Sequence, residues 1–114
     1  MPLITAQTNI IFSKEKEVSL KSDLAKALSD AFPGKTENWL MINFEYGCSL
    51  YFAGSDAPTM VVTVELLGKQ KAESYDKMTD SVCKLITQTV NIPSDRIYVK
   101  YYEVEHWGYN GVNF

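Results

Sequence analysis

The chain repeats itself. Pro2–Gln7 (PLITAQ) falls on Met60–Glu65 (MVVTVE) at an offset of 58 residues, and both are short β-prone runs with Thr in fourth place. Behind the first run, Leu20, Leu24, Ala27, Leu28 and Ala31 recur at helical spacing. The same offset carries them onto Met78, Val82, Leu85, Ile86 and Thr89, a nearly identical apolar stripe. Ser13 is suited to cap the first helix, and Pro33-Gly34 to close it; the second helix must end before Pro93. Asn38–Glu45 (NWLMINFE) then lands on Arg96–Glu103 (RIYVKYYE), both rich in aromatic and branched residues. The pattern is strand–helix–strand, performed twice. With right-handed crossovers it predicts an α+β fold: two βαβ repeats, one four-stranded sheet, both helices on one face. A split βαβ arrangement of ferredoxin-like kind is the expected solution.

Those strands raise a difficulty. A sheet covered on one face should alternate apolar and polar residues. Val61, Val62 and Val64, and Ile97, Tyr98, Val99, Tyr101 and Tyr102, instead put apolar bulk on both sides. Self-association would bury the second face. The tail His106–Phe114 (HWGYNGVNF) is aromatic and too short for a core of its own. It is expected to dock on a neighbouring subunit, the alternative being that it packs back on its own chain.

A length of 114 residues suits a single domain spanning 1–114. The net charge of -3 argues against a nucleic-acid binder, which needs a basic face. No stretch is long and apolar enough to enter a membrane, and the first dozen residues carry no basic n-region. Cys48 and Cys83 form no CxxC, and one His cannot complete a Cys/His zinc set, so two reduced thiols and no metal are expected.

One position invites chemistry. Proline after an initiator Met generally permits removal of that Met, which leaves a free secondary amine on Pro2. Apolar burial or a neighbouring cation lowers an amine's pKa, and a neutral amine near pH 7 can serve as a general base. The run Leu3–Thr8 behind it would hold that amine on a strand rather than let it fray. Met-Pro alone is a weak signal, since many chains begin this way.

Pro2, Thr8-Asn9, Gly34-Lys35, the run Ser94–Tyr102 (SDRIYVKYY) and the terminal GYN…F stand in an order and spacing that resemble the macrophage migration inhibitory factor family over essentially the whole chain. The resemblance implies a homotrimer with active sites between subunits and keto–enol tautomerisation of phenylpyruvate-type aromatic 2-oxo acids, with dopachrome derivatives as further substrates. No cofactor is implied. Pro2 matches the catalytic base, Lys35 the lysine that meets the substrate carboxylate or carbonyl, and Leu67 the residue whose backbone N–H contacts substrate. Tyr98 and Lys100 match a tyrosine and an asparagine that reach in from the neighbouring subunit; Trp39, Tyr109 and Phe114 fall on the aromatic rim. Without the resemblance, Lys35 reads as a solvated loop lysine, and Trp39 and Tyr98 as ordinary strand packing.

The departures are specific. Lys100 puts a charge where the family has an amide, and Tyr109 stands where Trp is usual. Thr59 and Val62 occupy the positions of the CxxC found in some members, so no oxidoreductase activity is expected. Three functions fit the sequence: an enzyme; a cytokine-like ligand of a cell-surface receptor; and, if Met1 is retained, a noncatalytic scaffold. The implied location is cytoplasmic, secreted without a signal peptide, or both.

Overall fold

The computed structural model describes residues 1–114. Its elements follow the repeat: β1 Pro2–Thr8, α1 Lys14–Ala31, β2 Met41–Glu45, β3 Met60–Leu67, α2 Ala72–Val90 and β4 Ile97–Val104. A tail hairpin, β5 Gly108–Tyr109 and β6 Val112–Asn113, closes the chain. Ser13 does cap α1, its side chain accepting from the Lys16 N–H at 3.2 Å. Past Phe32 the chain turns through Pro33 and Gly34, whose φ of +91° suits glycine. At the far end of α2, Asn91 adopts the left-handed conformation and its N–H returns to the Thr87 carbonyl at 3.1 Å.

The sheet order is β2-β1-β3-β4, with β1 parallel to β2, β3 parallel to β4, and β1 antiparallel to β3. This corrects the split arrangement. In a split unit another strand separates the two parallel partners; here each pair is in direct contact. The physical reason lies in residues 46–59. They form a long connection rather than a tight hairpin, which frees β2 to pair on the outer edge of β1. That connection is tied down from both ends. Asn9 Nδ2 donates to the Asp56 and Ala57 carbonyls at 3.0 and 3.1 Å, and its Oδ1 accepts from the Thr59 N–H. Arg96 donates to the carbonyls of Phe52, Ser55, Ala57 and Pro58.

Burial alternates strictly along β1 and β3, so one face of the sheet meets both helices. Ile4, Val62, Val64 and Leu66 join Leu20, Leu24, Leu28, Met78, Val82 and Ile86 in one core. In α2 the stripe runs Met78, Val82, Ile86, Val90; Val90 takes the place anticipated for Thr89, completing a strict i, i+4 series. The other sheet face mixes polar and apolar residues, so the apolar bulk expected on both faces is present. Register lines up Asn43, Thr5, Thr63 and Lys100 in one row across all four strands. Val61 and Tyr98 flank that row on one side, and Met41, Leu3 and Tyr102 on the other. Both cysteines are free and half-buried, and no helix is long and apolar enough to cross a membrane.

Leu28 is fully buried beneath the sheet, so Leu28→Ala should cost about 2–5 kcal/mol by urea denaturation. Val18→Ala, on the exposed side of α1, should stay within about 0.5 kcal/mol. Equal losses at the two positions would contradict the core assignment.

Candidate active site

The start of β1 lies at the foot of a cleft of ≈ 340 Å³ lined by Met1, Pro33, Gly34, Lys35, Trp39, Leu67 and Phe114. Five separate parts of the chain build it. Pro2 is buried at the strand end opposite Leu66, which presents the chain's first nitrogens to the cleft. The turn that ends α1 supplies Pro33, Gly34 and Lys35; the short 3-10 helix Glu37–Trp39 supplies the indole; the end of β3 supplies Leu67. The tail delivers Phe114, whose N–H donates to the Trp107 carbonyl at 2.9 Å.

Lys35 Nζ donates to the Leu67 carbonyl at 3.4 Å and so leans across the cleft rather than into solvent. The Leu67 N–H donates to the Met1 carbonyl at 3.2 Å. The amine of Met1 is held below the ordinary α-amine range, first by burial and then by the positive charge of Lys35. Among the lining side chains only that of Lys35 is an ionisable type. The rim is aromatic: Trp39 meets Tyr109 edge-on at 5.2 Å, and Phe114 stacks near Tyr109 at 6.5 Å. Each of the three stays about half exposed. Flat apolar walls around a cationic centre suit an aromatic anion.

Two other depressions lack these features. A basin of ≈ 750 Å³ over the start of α2 is lined mostly by polar side chains, and a groove of ≈ 290 Å³ lies between α1 and β2. Neither contains the chain's amine. No three His, Cys, Asp or Glu side chains converge as a metal set.

Of the residues singled out from sequence, Lys35, Leu67, Trp39 and Phe114 line this cleft, Tyr109 packs against Trp39 and Phe114 at its rim, and Pro2 lies buried directly behind Met1. Tyr98 and Lys100 do not. They lie on the open face of β4, Tyr98 against Phe52 at 4.8 Å and the Lys100 ammonium over the Tyr102 ring at 5.7 Å. Pro2 stands opposite Leu66, and Leu66 opposite Glu103. Lys100 is therefore two strand spacings and three residues away, roughly 14 Å, and on the other side of the sheet. Sequence reading missed Pro33 as a wall, having read it only as a helix stop. It also missed Gln70, whose Nε2 donates to the Leu67 carbonyl at 3.3 Å and which carries no pattern to flag it. Tyr109 of the tail packs on Trp39 of its own chain.

The sequence profile of the family described as macrophage migration inhibitory factor (MIF) matches residues 1–114. The chain is 30% identical to the macrophage migration inhibitory factor of Xenopus laevis, covering 100% of this chain and 99% of the frog protein. Among solved structures, that of MIF2 from Leishmania major superposes with a TM-score of 0.93 at 32% identity, covering 100% of this chain and 97% of the other. A homologue from Prochlorococcus marinus superposes with a TM-score of 0.87 at 31% identity over 98% of both chains.

Proposed function

The chain belongs to the macrophage migration inhibitory factor family, and on that premise we propose that it is a keto–enol tautomerase of phenylpyruvate-type aromatic 2-oxo acids. Pro2 acts as general base once Met1 is removed. The carrying observation is that the cleft offers one cation, Lys35, and one further titratable nitrogen, the amine at the head of β1. No carboxylate or imidazole lines it to compete for the role.

Removal of Met1 changes two groups at once. The Pro2 nitrogen ceases to be an amide and becomes a secondary amine, one residue deeper in the cleft than the present terminus. The Leu67 N–H loses its acceptor, the Met1 carbonyl, and becomes a free donor facing the same space. The mechanism follows. Neutral Pro2 takes a proton from the carbon beside the substrate carbonyl. Lys35 and the Leu67 N–H offset negative charge on the enolate oxygen or the neighbouring carboxylate. Protonated Pro2, or water, returns a proton at the other end. Trp39, Tyr109 and Phe114 hold the aromatic ring. No step calls for a cofactor, and dopachrome derivatives, also flat anions, are second candidates.

Lys100 and Tyr98 enter the proposal through a neighbouring subunit of a homotrimer. Support comes from their distance from Pro2 within one chain, together with a cleft left open on its aromatic side. Lys100 then adds a second cation where relatives carry an amide, favouring substrates with more negative charge.

A second function, cytokine-like binding to a cell-surface receptor, has the names of the full-length relatives behind it. It requires surface shape rather than a base, and it suits a chain found in the cytoplasm or exported without a signal peptide. A phenylpyruvate keto–enol assay on material shown by intact mass to lack Met1 tests the enzyme. Turnover well above the solvent rate is expected; trimmed, folded protein with none would refute it.

A further inference from the structure

The turn that leads from β3 into α2 is held from outside the cleft by one carboxylate. Glu103, near the end of β4, accepts from the Gln70 backbone N–H at 3.1 Å and from the Tyr75 hydroxyl at 2.5 Å, both on Oε2. Beside it the Gly68 N–H donates to the Val104 carbonyl at 2.9 Å. Gln70 also turns inward, its Nε2 donating to the Leu67 carbonyl that receives Lys35 Nζ. Gln70 thus links the surface carboxylate, through its backbone N–H, to the Leu67 carbonyl that receives the cation of the cleft, through its side chain.

Tyr75 ties in the opposite wall. Its half-buried ring packs against Phe32 at 5.5 Å and Tyr101 at 4.6 Å. Phe32 immediately precedes Pro33 and Gly34, and its carbonyl accepts the Lys35 backbone N–H at 3.0 Å. One phenol therefore touches the segment that carries Lys35 and, through Glu103, the segment that carries Leu67.

We propose that Glu103 and Tyr75 are positioning residues, fixing the Leu67–Lys71 turn and the Pro33–Lys35 wall so that Lys35 and the Leu67 backbone stay in register with the Pro2 amine. The kinetic consequence rests on the tautomerase proposal; the structural one does not. Bonds to a carboxylate are shorter and stronger than neutral ones, which suits a clamp on an exposed turn. The Tyr75 and Gln70 bonds hold the Glu103 carboxyl below its usual range, with Lys69 adding to the effect, so it remains ionised at neutral pH. Burial, then the bond to Glu103, pushes the Tyr75 phenol up to about 12, so it remains a donor.

The test compares Glu103→Ala, Glu103→Gln and Tyr75→Phe in trimmed protein, each folded by circular dichroism. Two quantities are read: the pKa of the Pro2 amine, by NMR on proline-labelled chain, and the pH profile of kcat/KM for phenylpyruvate. Loosening the turn lets water in and lets Lys35 drift, and both raise the amine's pKa. Glu103→Ala should therefore raise it and lower kcat/KM about tenfold below neutrality. Glu103→Gln, which keeps an acceptor oxygen, should restore both; Tyr75→Phe should fall between. A direct charge effect has the opposite sign, because losing an anion lowers a nearby amine's pKa. Ala and Gln variants that behave alike, or an Ala variant with an unmoved amine, would overturn the clamp. The expected amine shifts in a protein without turnover would support the clamp and refute the tautomerase.

Discussion

Pro2→Gly, with Met1 removed, is expected to lose roughly 10²–10⁴-fold in kcat/KM for phenylpyruvate ketonisation, the range a general base contributes. Glycine also permits removal of Met1, so the variant keeps a terminal amine. What it loses is the ring. Residue 2 is buried, and the packing of its pyrrolidine ring is what would hold the nitrogen in place at the head of β1. A glycine nitrogen is free to swing into water, where its pKa returns toward the ordinary value and its aim is lost. β1 pairs with strands on both sides along its length, so the fold should survive the change. Chain that retains Met1 should be equally inactive, because its Pro2 nitrogen is an amide. Receptor binding through surface shape, if present, should persist in Pro2→Gly. Near-normal kcat/KM in trimmed, folded Pro2→Gly protein would remove Pro2 from the mechanism.

Lys35→Ala should act through two routes. Loss of one donor to a developing oxyanion costs about 10²–10³-fold in catalysis. Removal of a cation also relieves the repulsion that disfavours the protonated amine, so the amine's pKa rises. Activity requires the neutral base, so it increases as pH climbs through that pKa. The acid limb of the profile must therefore move to higher pH, and the deficit should be largest below neutrality and smaller above it. Lys35→Arg should keep the limb close to its original place while impairing kcat, since the charge remains and the geometry changes. An acid limb that does not move in Lys35→Ala would separate Lys35 from the base.

Periodicity is local, which is why the repeat yielded the helices, the strands and their sides so well. Leu24, Leu28, Val82 and Ile86 declare a helix face without reference to anything distant. Strand order is not local. It depends on how residues 46–59 travel, and their path is set by Asn9 and Arg96 reaching across to backbone carbonyls, bonds no pattern encodes. The polar row Asn43, Thr5, Thr63, Lys100 is likewise invisible until register aligns it.

The cleft was legible unevenly. Pro2 carried its own chemical reason, a secondary amine behind a removable Met. Lys35, Leu67, Trp39 and Phe114 could be named only through family resemblance, because they sit on separate elements that converge in space alone. The partner of the Leu67 N–H could not be read at all. It is the carbonyl of the residue whose removal the chemistry requires.

Titrating the Pro2 nitrogen of Met1-free protein by NMR, on the same sample whose kcat/KM is followed against pH, tests the base assignment most directly. The two curves should share one midpoint, below the ordinary α-amine range. A nitrogen that keeps its proton through the pH at which turnover is already maximal would contradict it.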